Sequence, residues 1–284
     1  MIVARSCADL AAALADAARP IGVVPTMGAL HEGHLTLARR ARAENATVVV
    51  TIFVNPTQFL PHEDFDRYPR PIERDLALCA SVGVDIAFTP PVEEMYPPGF
   101  ATTVLVEGPS RRWEGEYRPG HFRGVATVVT RLLNLSRADR AYFGEKDYQQ
   151  LQVVRRLVAD LALPVEIVAC ETVRDADGLA LSSRNSYLAP EERHRALALS
   201  RALFEAAALA AAGEREVAVI ERRMREVAEG AGLVVDYLVI VDPDTLEPLA
   251  TLDRPARALG AVRLGAVRLI DNLPIVPAPG LRQA

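Results

Sequence analysis

The chain has 284 residues, 50% of them hydrophobic and 24% charged, and a formal net charge of −5. That length supports a full core and about two domains, and the acidic balance excludes bulk attraction to nucleic acid. Cys7, Cys79 and Cys170 stand far apart and outside any C-x-x-C pairing, which excludes a disulfide framework or zinc ribbon and reads as reduced thiols in a cytoplasmic protein.

In chain order, Arg5, Asp9 and Asp16 break the alanine-rich start and argue against a signal peptide, and no run reaches the roughly 18 apolar residues of a membrane span. Ser6 is placed to cap a helix through Leu14, which stops before Pro20 because the residue preceding proline is driven out of the α region. Ile21 to Pro25 predicts a short buried strand. The stretch Pro25-Thr26-Met27-Gly28-Ala29-Leu30-His31-Glu32-Gly33-His34 then turns into a helix from His34 to Glu44, and Thr47 to Val54 closes a β-α-β unit. Pro71 to Val82 reads as a helix, Val84 to Phe88 as a strand and Thr102 to Val106 as a further extended piece. Gly108 to Gly124 is a long polar loop punctuated by glycine, of a length that is commonly functional inside a compact domain.

Val125 to Leu135 is helical, Arg140 to Phe143 a strand, Tyr148 to Leu161 an amphipathic helix and Val165 to Ala169 another strand. This alternation predicts an α/β fold, a Rossmann-like, doubly wound, mostly parallel sheet whose ligands bind at the strands' C-terminal ends. Met27, Asn55, Gly144 and Val173 fall there. After Asn185 the texture changes. Pro190-Glu191-Glu192 opens a helix that continues to Ala212, Glu214 to Glu229 forms a second, and Leu233 to Val241 and Ala261 to Ile270 read as strands. The chain is thus expected to divide near Glu171 into a nucleotide-binding domain, 1–172, and a smaller C-terminal α+β domain, 173–284.

Four stretches carry residue types suited to chemistry. The helix start at Met27 to His34 aims unpaired N–H groups and a dipole at one spot, as phosphate binding requires, although a glycine turn with two surface histidines fits as well. Zinc is disfavoured: His31 and His34 stand at i and i+3, outside an H-E-x-x-H pattern, with no third ligand signalled. Asn55 and Gln58 follow a strand and offer neutral groups for hydroxyls and carboxylates, against the plainer reading of an Asn-Pro turn. Gly144-Glu145-Lys146-Asp147 opens a helix without Walker A spacing, with Gln150 one turn on. Leu181-Ser182-Ser183-Arg184, near the domain joint, suits a polyphosphate clamp or a polar linker.

With Tyr68-Pro69-Arg70 and Arg118-Pro119-Gly120-His121-Phe122 added, this ordered set closely resembles the pantothenate synthetase family, nucleotidyltransferases related to class I aminoacyl-tRNA synthetases. The resemblance covers about residues 20 to 190. It implies an ATP-dependent ligation of pantoate to β-alanine through an acyl adenylate, with pyrophosphate and AMP released. ATP would meet Met27, Gly28, Ala29, Leu30, His31, Glu32, Gly33, His34, Gly144, Glu145, Lys146, Asp147, Val173, Leu181, Ser182, Ser183 and Arg184. His34, His31, Lys146 and Arg184 would be catalytic, Gln58, Gln150 and Asn55 would hold pantoate, and Gln58 would also meet β-alanine. Mg²⁺ would accompany ATP, and Asp75 is the metal-side residue that the resemblance leaves, weakened in that role because Glu73-Arg74-Asp75 interrupts the adjacent acids frequent in the family. Asn55 to Arg70 would act as a lid, with Leu60 where glycine is frequent. A cytoplasmic homodimer without nucleic-acid or membrane partners is implied. Two other readings stay open: a related nucleotidyltransferase with a different co-substrate, and a non-catalytic nucleotide-binding regulator.

Overall fold

A computed structural model describes residues 1–61 and 63–278. The chain falls into two compact units, Met1–Val173 and Arg174–Ala284. In the first, β1 (Ile2–Ala4), α1 (Cys7–Leu14), β2 (Ile21–Thr26), α2 (Glu32–Glu44), β3 (Thr47–Ile52), α3 (Ile72–Ser81) and β4 (Ile86–Phe88) are followed by α4 (Val92–Met95), α5 (Glu114–Tyr117), α6 (His121–Ser136), β5 (Arg140–Gly144), α7 (Tyr148–Asp160) and β6 (Glu166–Cys170). All strand pairs are parallel, in the order β1-β4-β3-β2-β5-β6. The Rossmann-like sheet expected from the alternation of elements is therefore what forms.

Its central strand β3 reads Thr-Val-Val-Val-Thr-Ile and is buried at every position, because helices cover both faces. Strand order reverses between β2 and β5, and Met27 and Gly144 mark the two strand ends at that switch point, where ligands of such sheets bind. Ser6 caps α1 as expected: its Oγ accepts from Asp9 N at 3.0 Å and the Asp9 carboxylate accepts from Ser6 N at 3.0 Å.

Two expectations change in this unit, and β1 is an element that the sequence does not announce. The edge strand β1 has only three residues, too few to show a period. Thr102 to Val106 joins neither sheet; instead Val104 N donates to Thr127 Oγ1 at 2.9 Å. The stretch from Gly108 to Gly124 is folded, with α5 and the first turn of α6 inside it. Gln149 organises it, donating to the carbonyls of Pro109 and Arg112 at 2.8 Å each and accepting from Glu114 N at 3.0 Å. Gly115 permits the fold-back, since a Cβ there would stand 1.8 Å from the Ser110 carbonyl oxygen.

The second unit packs α8 (Pro190–Ala211) and α9 (Val217–Gly230) on an antiparallel sheet of β7 (Val234–Val241), β8 (Ala256–Leu264) and β9 (Val267–Ile275). Leu199, Leu203, Ile220, Met224, Leu238 and Ile240 form its dry centre. The single strand expected from Ala261 to Ile270 is in fact a hairpin corner. Apolar residues run through it almost unbroken, and only Gly265, at φ +57, supplies the left-handed residue that the two-residue turn needs.

Arg174 forks onto Asp271 at 2.6 and 2.9 Å, with the carboxylate buried. Removing one partner of such a pair strands a charge out of water. Arg174→Ala is therefore expected to lower stability by about 3 kcal/mol, seen as a lower urea midpoint for the whole chain. An unchanged midpoint would mean that Asp271 finds another partner.

Candidate active site

The junction of β2 and α2 is held from three directions. Thr26 Oγ1 accepts from Gly28 N at 3.2 Å, and Gly28 itself lies at φ +81, where a side chain would be strained and would press on Asp75 and Ile52. Ala29 also lies at positive φ, at 50°. Asp75, from the first turn of α3, accepts from Ala29 N and Leu30 N at 2.8 Å each. A bidentate carboxylate on consecutive amides offsets the strain of this turn. Burial pushes the Asp75 carboxyl above the usual range, against the pull of those two amides. Asp75, expected on the metal side, thus has both oxygens committed to the loop.

The two histidines cap each other's backbone. His31 Nδ1 accepts from Gly33 N at 3.2 Å, and His34 Nδ1 accepts from His31 N at 3.3 Å. Their rings lie 4.1 Å apart, tilted by 42°. Because a backbone N–H only donates, both Nδ1 atoms carry lone pairs, and each neutral ring holds its proton on Nε2. The amides of Ala29, Leu30, His31 and Gly33, expected from the sequence to face a phosphate, are taken up inside the protein. What the junction still presents is the two imidazole Nε2–H groups, with the Lys146 ammonium near His34.

Desolvation first, then His31 and Lys146, lowers the half-buried His34 to about 3. At ordinary pH the ring is therefore neutral, an N–H donor and not a cation. Glu32 is turned to the exposed side of α2, where it pairs with Arg39.

Gln58 lies in a 3₁₀ turn, Pro56–Gln58, after β3. Its Oε1 accepts from Asn55 Nδ2 at 3.0 Å, so the amide is oriented, and its Nε2 rests on Met27 Sδ at 3.2 Å. A thioether is a weak acceptor that an oxygen ligand would readily replace. Asn55 is a support: its Oδ1 accepts from Tyr96 Oη at 2.8 Å and Thr57 Oγ1 at 2.9 Å, and its Nδ2 also reaches the Gly124 carbonyl at 3.3 Å. Gln150 is half-buried in the first turn of α7, whose start follows the 3₁₀ turn Glu145–Asp147, with Lys146 Nζ 3.8 Å from Asp147 Oδ1.

The structure thus brings Met27 to His34, Gln58 and Lys146 to one end of the sheet, and adds three residues to which the sequence alone assigns no task, Tyr96, Gln149 and Gly124. Val173 ends the first unit. Leu181 to Arg184 belong to the second unit, where Ser182 Oγ accepts from Arg184 N at 3.3 Å and opens the 3₁₀ turn Ser183–Tyr187.

His121, buried in α6, shows the same direction of shift; desolvation first, then Arg118, lowers it to about 4. In the unfolded chain both histidines return to about 6.5. The unfolded state then binds more protons between those values, so stability is complete above about pH 6.5 and falls as pH drops through the window. The melting temperature should be flat from pH 8 to 7 and decline already between pH 6.5 and 5, before most carboxylates protonate. A flat profile down to pH 5 would contradict two neutral buried imidazoles.

Comparison with known proteins agrees over nearly the whole chain. A family model described as pantoate–β-alanine ligase matches residues 2–274. A pantothenate synthetase of Moorella thermoacetica is 57% identical over 254 residues, 89% of this chain and 90% of that protein. One from Rhizorhabdus wittichii is 52% identical over 282 residues, 98% and 100% of the two. Among solved structures, a pantothenate synthetase of Thermus thermophilus superposes with a TM-score of 0.95 at 55% identity, covering 98% of this chain and 100% of that one. A pantoate–β-alanine ligase of Francisella tularensis, complexed with beta-gamma ATP and β-alanine, gives 0.81 at 33% identity over 96% and 97%.

Proposed function

The chain belongs to the pantoate–β-alanine ligase family and is an ATP-dependent ligase of pantoate and β-alanine; we propose that its chemistry runs through a pantoyl adenylate made at the His31–His34 junction. The observation that carries this reading is the pair of adjacent neutral imidazoles, fixed in one tautomer beside Lys146 at the switch point of the sheet.

A carboxylate is a poor electrophile. In the first step a pantoate carboxylate oxygen attacks the α-phosphorus of ATP in line, the bond to the bridging oxygen breaks, and pyrophosphate leaves. Charge grows on the non-bridging and leaving oxygens, where two Nε2–H donors and the Lys146 ammonium are preorganised to meet it. Gln58 exchanges its thioether contact for a pantoate oxygen, Gln150 supplies the second amide, and Asn55 keeps Gln58 oriented. In the second step the neutral amine of β-alanine attacks the adenylate carbonyl, the C–O bond to AMP breaks, and the amine proton passes to solvent. Gln58 is assigned to β-alanine as well.

Met27, Gly28, Ala29, Leu30, Glu32, Gly33, Gly144, Glu145, Asp147 and Val173 line the nucleotide in this proposal. Leu181, Ser182, Ser183 and Arg184 are assigned to the nucleotide from the family resemblance alone, Arg184 as a cation suited to phosphate. The donor set at the junction is imidazole, amine and amide, and Asp75 is engaged with the loop amides, so these residues do not build a resident metal site. Mg²⁺ is assigned to ATP as part of the substrate. Three cysteines without a disulfide fit a reducing cytoplasm. A homodimer is proposed from the family resemblance. No helix among the described residues is long and apolar enough to cross a membrane.

Exchange of labelled pyrophosphate into ATP, with pantoate present and β-alanine absent, tests the proposal. Pantoate-dependent exchange supports the adenylate. Exchange only with another acid would move the activity to a related nucleotidyltransferase, and ATP binding without exchange would end the catalytic reading.

A further inference from the structure

The segment after β3 and the segment before α6 meet at a buried charge cluster to which the reaction assigns no task. Arg118 forks onto Glu63, Nε to Oε1 at 2.6 Å and an Nη to Oε2 at 2.8 Å, with about one-sixth of either side chain exposed (14% and 17%). Glu63 Oε2 also accepts from Leu60 N at 3.0 Å, and Glu114 stands 3.8 Å from the same guanidinium. Arg118 donates to His121 Nε2 at 3.1 Å and to the Gln58 carbonyl at 3.3 Å, and the His121 Nδ1–H donates to that carbonyl at 2.8 Å. A guanidinium only donates and a carbonyl only accepts, so His121 is the neutral Nδ1–H tautomer, opposite to that of His31 and His34.

Apart from the contacts of Arg118 with His121 and Glu114, the network ends on Gln58, Leu60 and Glu63. The Gln58 carbonyl takes two donors, and Glu63 ties down the chain just beyond it. From the other side, Asn55 holds the Gln58 amide. Taking an Arg–Glu pair this far out of water costs free energy that an apolar contact would not, so stability alone is a weak reason for it.

We infer that Glu63, Arg118 and His121 are positioning residues for pantoate: they clamp the backbone of Gln58 so that its amide already faces the acid before pantoate arrives. The inference rests on the proposed assignment of Gln58 to pantoate. Arg118 and His121 act through Gln58 and touch neither ATP nor the reacting atoms.

The test is pantoate-dependent exchange without β-alanine, in the wild-type chain, Glu63→Gln, Arg118→Lys, Gln58→Ala and the Gln58→Ala/Glu63→Gln double variant. Glu63→Gln is expected to raise KM for pantoate about tenfold, as a lost charge-assisted clamp should. KM for ATP should stay within about twofold, and in the Gln58→Ala background the Glu63 change should add less than about twofold, because both act at one place. Equal increases in both KM values, or an undiminished effect in the double variant, would reduce the cluster to a structural role and overturn the inference. An unmoved pantoate KM in Glu63→Gln overturns it alone; no pantoate-dependent exchange by the wild type overturns the functional reading and this inference together. A measurement independent of variant folding is the ¹⁵N spectrum of histidine-labelled wild type. His121 should be the neutral Nδ1–H tautomer at pH 7, and an Nε2–H tautomer would break the relay to Gln58 and overturn the inference.

Discussion

Replacing His34 by alanine is expected to cut pantoate-dependent ATP–pyrophosphate exchange by on the order of a hundred-fold or more while the chain stays folded. The two effects differ in size. Alanine removes the acceptor for His31 N, a capping loss of about 1 kcal/mol. A hundred-fold in rate is about 2.7 kcal/mol of barrier, too much to come from a slightly frayed helix start. The hydrogen bonding also specifies what the ring supplies. With Nδ1 fixed as an acceptor and the ring neutral down to about 3, the group that the ring offers is an uncharged Nε2–H, which in the proposed mechanism meets the phosphate. His34→Gln places an uncharged N–H at similar reach and should recover at least about tenfold over alanine, with no inflection near pH 6.5 in the exchange rate. A glutamine variant as dead as alanine, or an alanine variant with full exchange, would remove the donor role.

Much of the first unit is legible in the sequence because its elements announce themselves locally. Thr47 to Ile52 is a β-branched run, Gly28 marks a turn, and Ser6 with Asp9 spells a helix cap. The hairpin of β8 and β9 is not legible, since apolar residues continue through Gly265 and nothing else marks the reversal. The site divides in the same way. His31, His34, Gln58 and Lys146 stand in recognisable local patterns, but their tautomers and orientation depend on partners far along the chain. Asp75 reaches Ala29 across 46 positions, and Arg118 reaches Glu63 across 55. Gln149 and Gln150 are chemically identical neighbours. Only the packing of α7 shows that the first is buried and taken up by the Pro109 to Glu114 backbone, while the second stays half-buried one position on.

Gly124→Ala should be as damaging to pantoate use as a change within the site, although Gly124 carries no side chain and sits inside a helix. By helix propensity alone, alanine should improve α6 by about 1 kcal/mol. The approach of the Pro56–Gln58 turn reverses that sign. A Cβ on Gly124 would stand 2.3 Å from the Thr57 carbonyl oxygen and 2.7 Å from Gln58 N. These are backbone atoms, with no flexible side chain to swing aside, so one segment has to withdraw by about 1 Å. The helix is anchored by the buried Val125, Ala126, Val128 and Val129, and the turn is the part that yields. As it retreats, the Asn55 contact to the Gly124 carbonyl and the His121 contact to the Gln58 carbonyl both lengthen, and the Gln58 amide leaves its bearing. If Gln58 orients pantoate as proposed, a displacement of that size should lower kcat/KM for pantoate on the order of a hundred-fold. KM for ATP, set at the other strand ends, should move by less than about threefold, and overpacking should lower stability by about 1–3 kcal/mol. Kinetics within about twofold of wild type would mean that α6 and the turn slide apart without disturbing Gln58, and the close approach would then matter for packing alone.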